Sequence, residues 1–122
     1  MRSIEHLTDE WLTLWLTEGR AWPTRPVSLV EQFHIEGVRY WLRIDDGRIV
    51  DGAMGETRKP NIIWRYSREI AARIERGETT LGDQIAAGTV QVEGDAYALS
   101  ALDLLTPSYE TSRHGIAASV VY

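Results

Sequence analysis

Residues 27–44 read VSLVEQFHIEGVRYWLRI, and this stretch predicts two strands joined by a tight turn. Apolar residues occupy every second position from Val27 to Ile35, apart from Glu31, which is the pattern of a strand with one buried face. Glu36-Gly37 is a two-residue hairpin signal, and apolar and polar residues alternate again from Val38 to Ile44. These two strands are therefore expected to pair antiparallel, with an inner face that is largely apolar.

The segments on either side extend this pair into an α+β chain. Asp45-Asp46-Gly47 predicts a second tight turn, and the switch from period two to period 3.6 after residue 66 marks the change from strands to helices. We expect a single domain over residues 1–122, with its core at 27–105. The further predicted elements are helices at 8–18, 67–77, 80–88 and 96–105 and strands at 48–53, 62–66 and 89–93. Pro107 is expected to end the last helix, and the variable tail at 106–122 is expected to form an edge strand or a loose segment.

The composition excludes several classes of function. The chain of 122 residues has no cysteine, so it has no thiolate metal site or disulfide of its own. Its net charge of −5 opposes non-specific binding to nucleic acid or to anionic lipid, and no apolar run is long enough for a transmembrane segment. Because the N-terminus lacks the apolar core of a secretory signal, we expect a cytoplasmic protein.

The histidines and glycines do not form a recognised catalytic or metal-binding motif. His6, His34 and His114 are far apart and have no partner at metal-ligand spacing, so we expect no metal. The chain contains no phosphate-binding loop, dinucleotide fingerprint or nucleophile elbow. We therefore expect no cofactor.

Three stretches resemble the sterol carrier protein 2 (SCP2) family. They are YWLRIDDGRI at 40–49, NIIWRYS at 61–67 and IERGETTLGDQIAAGTVQVEGD at 74–95, and the resemblance covers about residues 27–105. It implies a five-stranded, mostly antiparallel sheet with helices packed on one face and a hydrophobic cavity between the layers. Such a cavity would hold fatty acyl chains, sterols or other apolar molecules. If several of Trp11, Trp15, Trp41 and Trp64 point inward, a smaller cavity shaped for a ring system is expected.

The inner face of the predicted sheet supplies the candidate ligand-binding residues. Tyr40 and Trp64 are the foremost candidates, because each combines an apolar ring with a polar atom. The alternative is an ordinary packed core, and only the family resemblance favours a cavity over it. The full set of candidates is Leu29, Phe33, Tyr40, Leu42, Ile62, Trp64 and Ile85.

The leading hypothesis is a protein that binds or carries a small hydrophobic ligand such as a lipid, a sterol or a polycyclic or polyketide-like molecule. A second hypothesis is an enzyme, such as a cyclase, isomerase or hydrolase, that acts on an apolar biosynthetic substrate. Its candidate acid or base groups, which are expected near the cavity wall, are Glu31, Tyr40 and Asp83. Buried, Glu31 would have a raised pKa, but the favoured interpretation is a bulge that turns it outward.

The outer face of the sheet suggests a third hypothesis, an interaction module without a cavity. Arg39, Trp41, Arg43 and Arg65 are expected on this face, where an indole between guanidinium groups suits a protein interface. A homodimer through the face around Trp41 is one such interface. The alternative is that the arginine stems simply cover the sheet.

Overall fold

The computed structural model describes residues 3–122 and has two layers, a sheet and a set of helices. The five-stranded sheet has the order β4-β3-β2-β5-β6, in which only the β2–β5 pair is parallel. The predicted α+β class with a mostly antiparallel sheet is confirmed. The elements are β1 (Ile4–Glu5), α1 (Asp9–Arg20), β2 (Leu29–Ile35), β3 (Val38–Asp45), β4 (Arg48–Met54), β5 (Ile62–Tyr66), α2 (Arg68–Glu75), α3 (Leu81–Ala86), β6 (Gln91–Gly94), α4 (Ala96–Ala117) and β7 (Val120–Val121).

Two tight turns fix the register of the β2–β3–β4 meander. Glu36 and Gly37 have φ values of 44° and 88°, and Asp46 and Gly47 have values of 50° and 79°. Positive φ at both central residues is the geometry of a two-residue hairpin whose twist matches that of its strands. Both predicted turns are therefore confirmed, and Phe33, Tyr40 and Leu42 face the same side of the sheet.

The crossover from β4 to β5 is held by one buried amide. The side chain of Gln32 donates to the carbonyl oxygens of Tyr40 and Gly55 at 3.0 and 3.1 Å, and its own oxygen accepts from Thr57 N at 2.8 Å. The side-chain oxygen of Asn61 then accepts a hydrogen bond from Val30 N, and the backbone N–H of Asn61 donates to the carbonyl oxygen of Val30. These bonds bring β5 alongside β2 in parallel.

The helices begin at capping residues and cover the inner face of the sheet. Thr8, Ser67, Thr80 and Asp95 each accept a hydrogen bond from a backbone N–H in the first turn of their helix. Helix α1 packs against β4 and α4, and α4 also contacts β6. Within residues 3–122, no helix is both long and apolar enough to cross a membrane.

The prediction that Pro107 ends the last helix is wrong. Helix α4 continues for ten residues beyond Pro107, to Ala117. An interior proline costs helix stability because it removes a hydrogen bond and crowds the preceding turn. Packing outweighs that cost, since Ser108, Ser112 and Ile116 are all buried beyond it. Pro107 itself is exposed.

The end of the chain pairs with its beginning. Strand β7 lies parallel to β1, with Ile4 opposite Val120, and forms a separate two-stranded ribbon. Two backbone bonds of 3.1 Å, from Ile4 N to Ser119 O and from His6 N to Val121 O, hold the ribbon together. The segment at 106–122 is thus neither a loose tail nor an edge strand of the main sheet.

The outer face of the sheet is covered with ion pairs. Arg39 pairs with Glu56, Arg43 with Asp51 and Arg65 with Glu93, and all these side chains are largely exposed. Trp41 lies half-buried opposite Gln32 and Ala53. A homodimer through this face stays a prediction, as does its alternative, in which the arginine stems simply cover the sheet.

Replacing Pro107 with Ala should raise the free energy of unfolding by about 1–2 kcal/mol. The full penalty for an interior proline is about 3 kcal/mol, but proline also stiffens the unfolded chain. Urea unfolding followed by circular dichroism measures the difference, with Ser100→Ala on the exposed side of α4 as the control. A destabilised Pro107→Ala variant would contradict a continuous helix.

Candidate functional site

A cavity of about 640 Å³ lies between the inner face of the sheet and the helices. Its sheet wall carries a stack of aromatic rings: Phe33 lies parallel to Tyr40 at 4.5 Å and to Trp64 at 6.3 Å between ring centroids. Trp11 of α1 meets Tyr40 edge-on at 5.1 Å. Trp11, Trp15 and Trp64 line this cavity, whereas Trp41 lies on the outer face, so three of the four tryptophans considered point inward.

The predicted ligand-binding residues divide into two groups. Phe33, Tyr40, Leu42 and Trp64 line the cavity, and Ile85 lies at its rim with 41% of its surface exposed. Leu29 and Ile62 are buried but do not line the cavity. Leu29 pairs with Ile44, which is also packed away from the cavity, so this end of the sheet is solid core. Ligand binding by the lining residues stays a prediction.

Glu31 faces the cavity, and the expectation that a bulge turns it outward is wrong. The pairing of β2 runs without a shift through Glu31, which lies between Leu42 on β3 and Ile62 on β5. The carboxyl is 1% exposed and accepts hydrogen bonds from Trp64 Nε1 at 3.0 Å and from the Tyr109 hydroxyl at 2.7 Å. Burial raises the pKa of Glu31, and the two donors partly offset that rise.

A second buried carboxyl, Glu75, was missed by the sequence analysis. Glu75 accepts from Trp11 Nε1 at 3.0 and 3.1 Å, from Trp15 Nε1 at 2.9 Å, and from the hydroxyl of Tyr122. Burial raises its pKa, and these three donors lower it in part. The sequence feature that could have predicted its burial is spacing. Glu75 follows the inward-facing Ala71 by four residues, which places both on one helix face.

Two tyrosines lie near both carboxyls. The hydroxyls of Tyr40 and Tyr66 are hydrogen-bonded to each other, and both phenols are influenced by the charges of Glu31 and Glu75. Burial, together with the neighbouring carboxyls, raises the pKa of both tyrosines far above neutrality. Both therefore remain protonated and neutral. Asp83, the third candidate acid, is exposed on α3 and does not line the cavity, which contradicts its predicted place near the wall.

His6 lies beside Glu75 as a neutral ring. Its ring meets those of Trp11 and Tyr122 edge-on, at 5.2 and 4.7 Å. Burial, together with the smaller effects of the nearby charges of Arg68 and Arg76, lowers the pKa of His6 to about 4. The 3.9 Å contact between His6 Nε2 and Glu75 Oε2 is therefore not an ion pair at neutral pH.

Replacing Glu75 with Ala should lower the free energy of unfolding by about 2–6 kcal/mol, because the indole N–H groups of Trp11 and Trp15 lose their acceptor while buried. Thermal and urea unfolding measure this. Glu78→Ala, three residues along and exposed, is the control and should leave the unfolding midpoint nearly unchanged. Equal effects of the two substitutions would show that the Glu75 bonds contribute nothing.

His6 should titrate with a midpoint near pH 4 in an NMR titration of its ring carbon. The folded pKa lies below the unfolded value of 6.5, so the unfolded chain takes up this proton first as the pH falls. The stability that His6 contributes is therefore present above pH 6.5 and is lost as the pH falls towards 4. His6→Gln should reduce that loss, and a midpoint of 6.5 would contradict the burial of His6.

Comparisons with known proteins relate this chain to others by structure alone. Neither a protein-family model nor a curated protein sequence matches it. The chain is similar to part of the sec-alkylsulfatase Pisa1 from Pseudomonas sp., with 16% identity and a TM-score of 0.52 over 68% of its residues. It spans only 12% of the length of that enzyme.

Complete small proteins give the more extensive likeness. Sterol carrier protein 2 matches with a TM-score of 0.67 and 10% identity, over 94% of this chain and 96% of that one. Palmitated SCP2L2 from Aedes aegypti matches with a TM-score of 0.60 and 20% identity, over 84% of this chain and 90% of that one. The chain therefore has the SCP2-like fold that its sequence resemblance predicted.

Proposed function

We propose that this protein binds and carries a small apolar ligand in the cavity between its sheet and its helices. The observation that carries this proposal is the cavity itself, which at about 640 Å³ is as large as typical sites for small molecules. Protein interiors normally pack without voids of this size. The cavity is lined by aromatic and aliphatic side chains from the sheet and from α1, α2 and α4.

Desolvation supplies the affinity in this mechanism. An apolar chain or ring that leaves water for the cavity gains about 25 cal/mol for each Å² of apolar surface buried. The aromatic stack of Phe33, Tyr40 and Trp64 offers flat faces to a ring system. Shape therefore sets selectivity among apolar ligands, and the few polar atoms on the wall set their orientation.

The structural comparisons support a carrier of this kind. Sterol carrier protein 2 and the palmitated SCP2L2 share the arrangement of sheet and helices that encloses the cavity here. By their names, one carries sterols and the other holds a palmitoyl group. A lipid, a sterol or a polycyclic molecule is the corresponding ligand class for this chain.

A second candidate function is an enzyme that acts on an apolar substrate, and Glu31 is the observation that favours it. A buried carboxyl with a raised pKa on a cavity wall is suited to proton transfer. Mass spectrometry of a ligand recovered after incubation separates the two functions. A carrier returns the ligand unchanged, whereas an enzyme returns a product.

Straight-chain 1-alkanols with about 8 to 12 carbons should bind with an affinity that rises about fourfold for each added CH₂, because each buried CH₂ contributes about 0.8 kcal/mol. Tryptophan emission measures the binding, since Trp11, Trp15 and Trp64 line the cavity. The absence of saturable binding of any alkanol to the folded protein would overturn the carrier proposal.

Replacing Ala71 with Phe should abolish alkanol binding without unfolding the protein, because Ala71 lies on the cavity wall and the larger ring fills the space. Ala86→Phe introduces the same ring on the exposed surface of α3, away from the wall, and should leave binding unchanged. Thermal unfolding of both variants checks their folds. Normal alkanol binding by a folded Ala71→Phe variant would place the ligand elsewhere.

A further inference from the structure

Glu31 has an apolar partner in register on each adjacent strand of the sheet. It is on the central strand β2, its partners in register are Leu42 and Ile62, and it is 1% exposed. A carboxyl buried among apolar side chains costs stability unless hydrogen bonds compensate it. An apolar residue would suit this position of the sheet better, so the carboxyl needs a reason beyond folding.

The two buried carboxyls, Glu31 and Glu75, differ in how many hydrogen-bond acceptor sites remain unused. A carboxylate has about four lone-pair sites. Both oxygens of Glu75 accept from Trp11, and one bond each from Trp15 and Tyr122 brings its hydrogen bonds to four. Glu31 accepts only two, one on each oxygen. Glu31 therefore retains capacity for further donors, and it lines the cavity.

The charges around the cavity favour a cation over an anion. Among residues 3–122, the wall carries the carboxyls of Glu31, Glu75, Asp103 and Glu110 and one guanidinium, that of Arg113. Arg113 lies against Gly77, which is exposed just beyond the end of α2. The phenols of Tyr40, Tyr66 and Tyr109 are protonated and neutral. Burial favours the neutral form of Glu31, but a ligand ammonium beside it would lower the pKa of Glu31 and favour the charged carboxylate, whereas a ligand carboxylate would raise that pKa further and form no ion pair.

We infer that Glu31 is the polar anchor of the cavity, and that the cavity selects apolar molecules ending in a hydrogen-bond donor, above all an amine, over those ending in a carboxylate. This inference rests on the proposed function, since it concerns the same cavity. The ammonium group of the ligand donates to the free lone pairs of Glu31, while its hydrocarbon part contacts the aromatic wall. A hydroxyl donates to the same lone pairs without the charge, so an alcohol binds with intermediate affinity.

Three ligands of equal chain length test this selection: dodecylamine, 1-dodecanol and dodecanoate, each titrated at neutral pH below its micelle concentration. We expect dodecylamine to bind the parent protein at least about tenfold more tightly than dodecanoate, the usual scale of a charge-assisted hydrogen bond. Ala71→Phe should abolish dodecylamine binding, which separates binding in the cavity from adsorption to a chain of net charge −5.

Glu31→Gln should reduce the preference for the amine over the carboxylate to about threefold or less, which removes most of that tenfold difference. It should change 1-dodecanol binding little, because the amide oxygen still accepts a hydrogen bond. Glu93→Gln removes the same charge from the exposed outer face of the sheet, away from the cavity wall, and it should leave the preference intact. An equal loss of preference in both variants would assign the selection to overall charge and overturn the role of Glu31.

Tyr109→Phe provides a test that does not require Glu31 to be replaced. It removes one donor from Glu31 while keeping a ring against Trp22, and it should preserve or increase the affinity for dodecylamine. Loss of the amine preference in this variant would contradict the inference.

The outcomes separate the inference from the proposed function. If dodecanoate binds the parent as tightly as dodecylamine, the selection by Glu31 is wrong and the carrier function stands. If none of the three ligands binds the folded parent, the carrier function itself is wrong.

Discussion

The buried carboxyl of Glu75 is the interaction on which the rest of the structure depends. It lies at the end of α2 and accepts hydrogen bonds from Trp11 and Trp15 of α1 and from Tyr122, the last residue described. One side chain thereby connects two helices to the ribbon formed by β1 and β7. Since donors from such distant parts of the chain converge only in the folded state, the helical layer closes over the sheet as one unit.

The same kind of bond keeps the cavity open. Trp11, Trp15 and Trp64 all line it, and each indole N–H donates to a buried carboxyl, Glu75 or Glu31. An indole held at its N–H cannot turn into the open space without leaving a polar group unsatisfied. The hydrogen bonds therefore hold these large aromatic side chains on the wall.

The buried acids also show where sequence reasoning stops. Strand alternation placed Glu31 on the inner face, but a carboxyl there needs donors, and Tyr109 lies beyond Pro107, where the helix was expected to end. Because Tyr109 was not expected in this helix, Glu31 had too few predicted donors for burial, and a bulge that exposed it was the expected structure. Glu75 was hidden for a similar reason, because its donors come from residues 60 and 64 positions earlier and 47 positions later in the chain.

The sequence by itself determined the meander, the helix starts and the inner face of the sheet. These features depend on local chemistry: turn residues such as Asp46-Gly47, capping residues such as Ser67, and the alternation of apolar side chains. Only the tertiary structure decided that α4 continues past Pro107, that the chain ends pair, and that two carboxyls line a cavity. Those features depend on contacts between distant segments, whose gain in packing and hydrogen bonding outweighs local propensity.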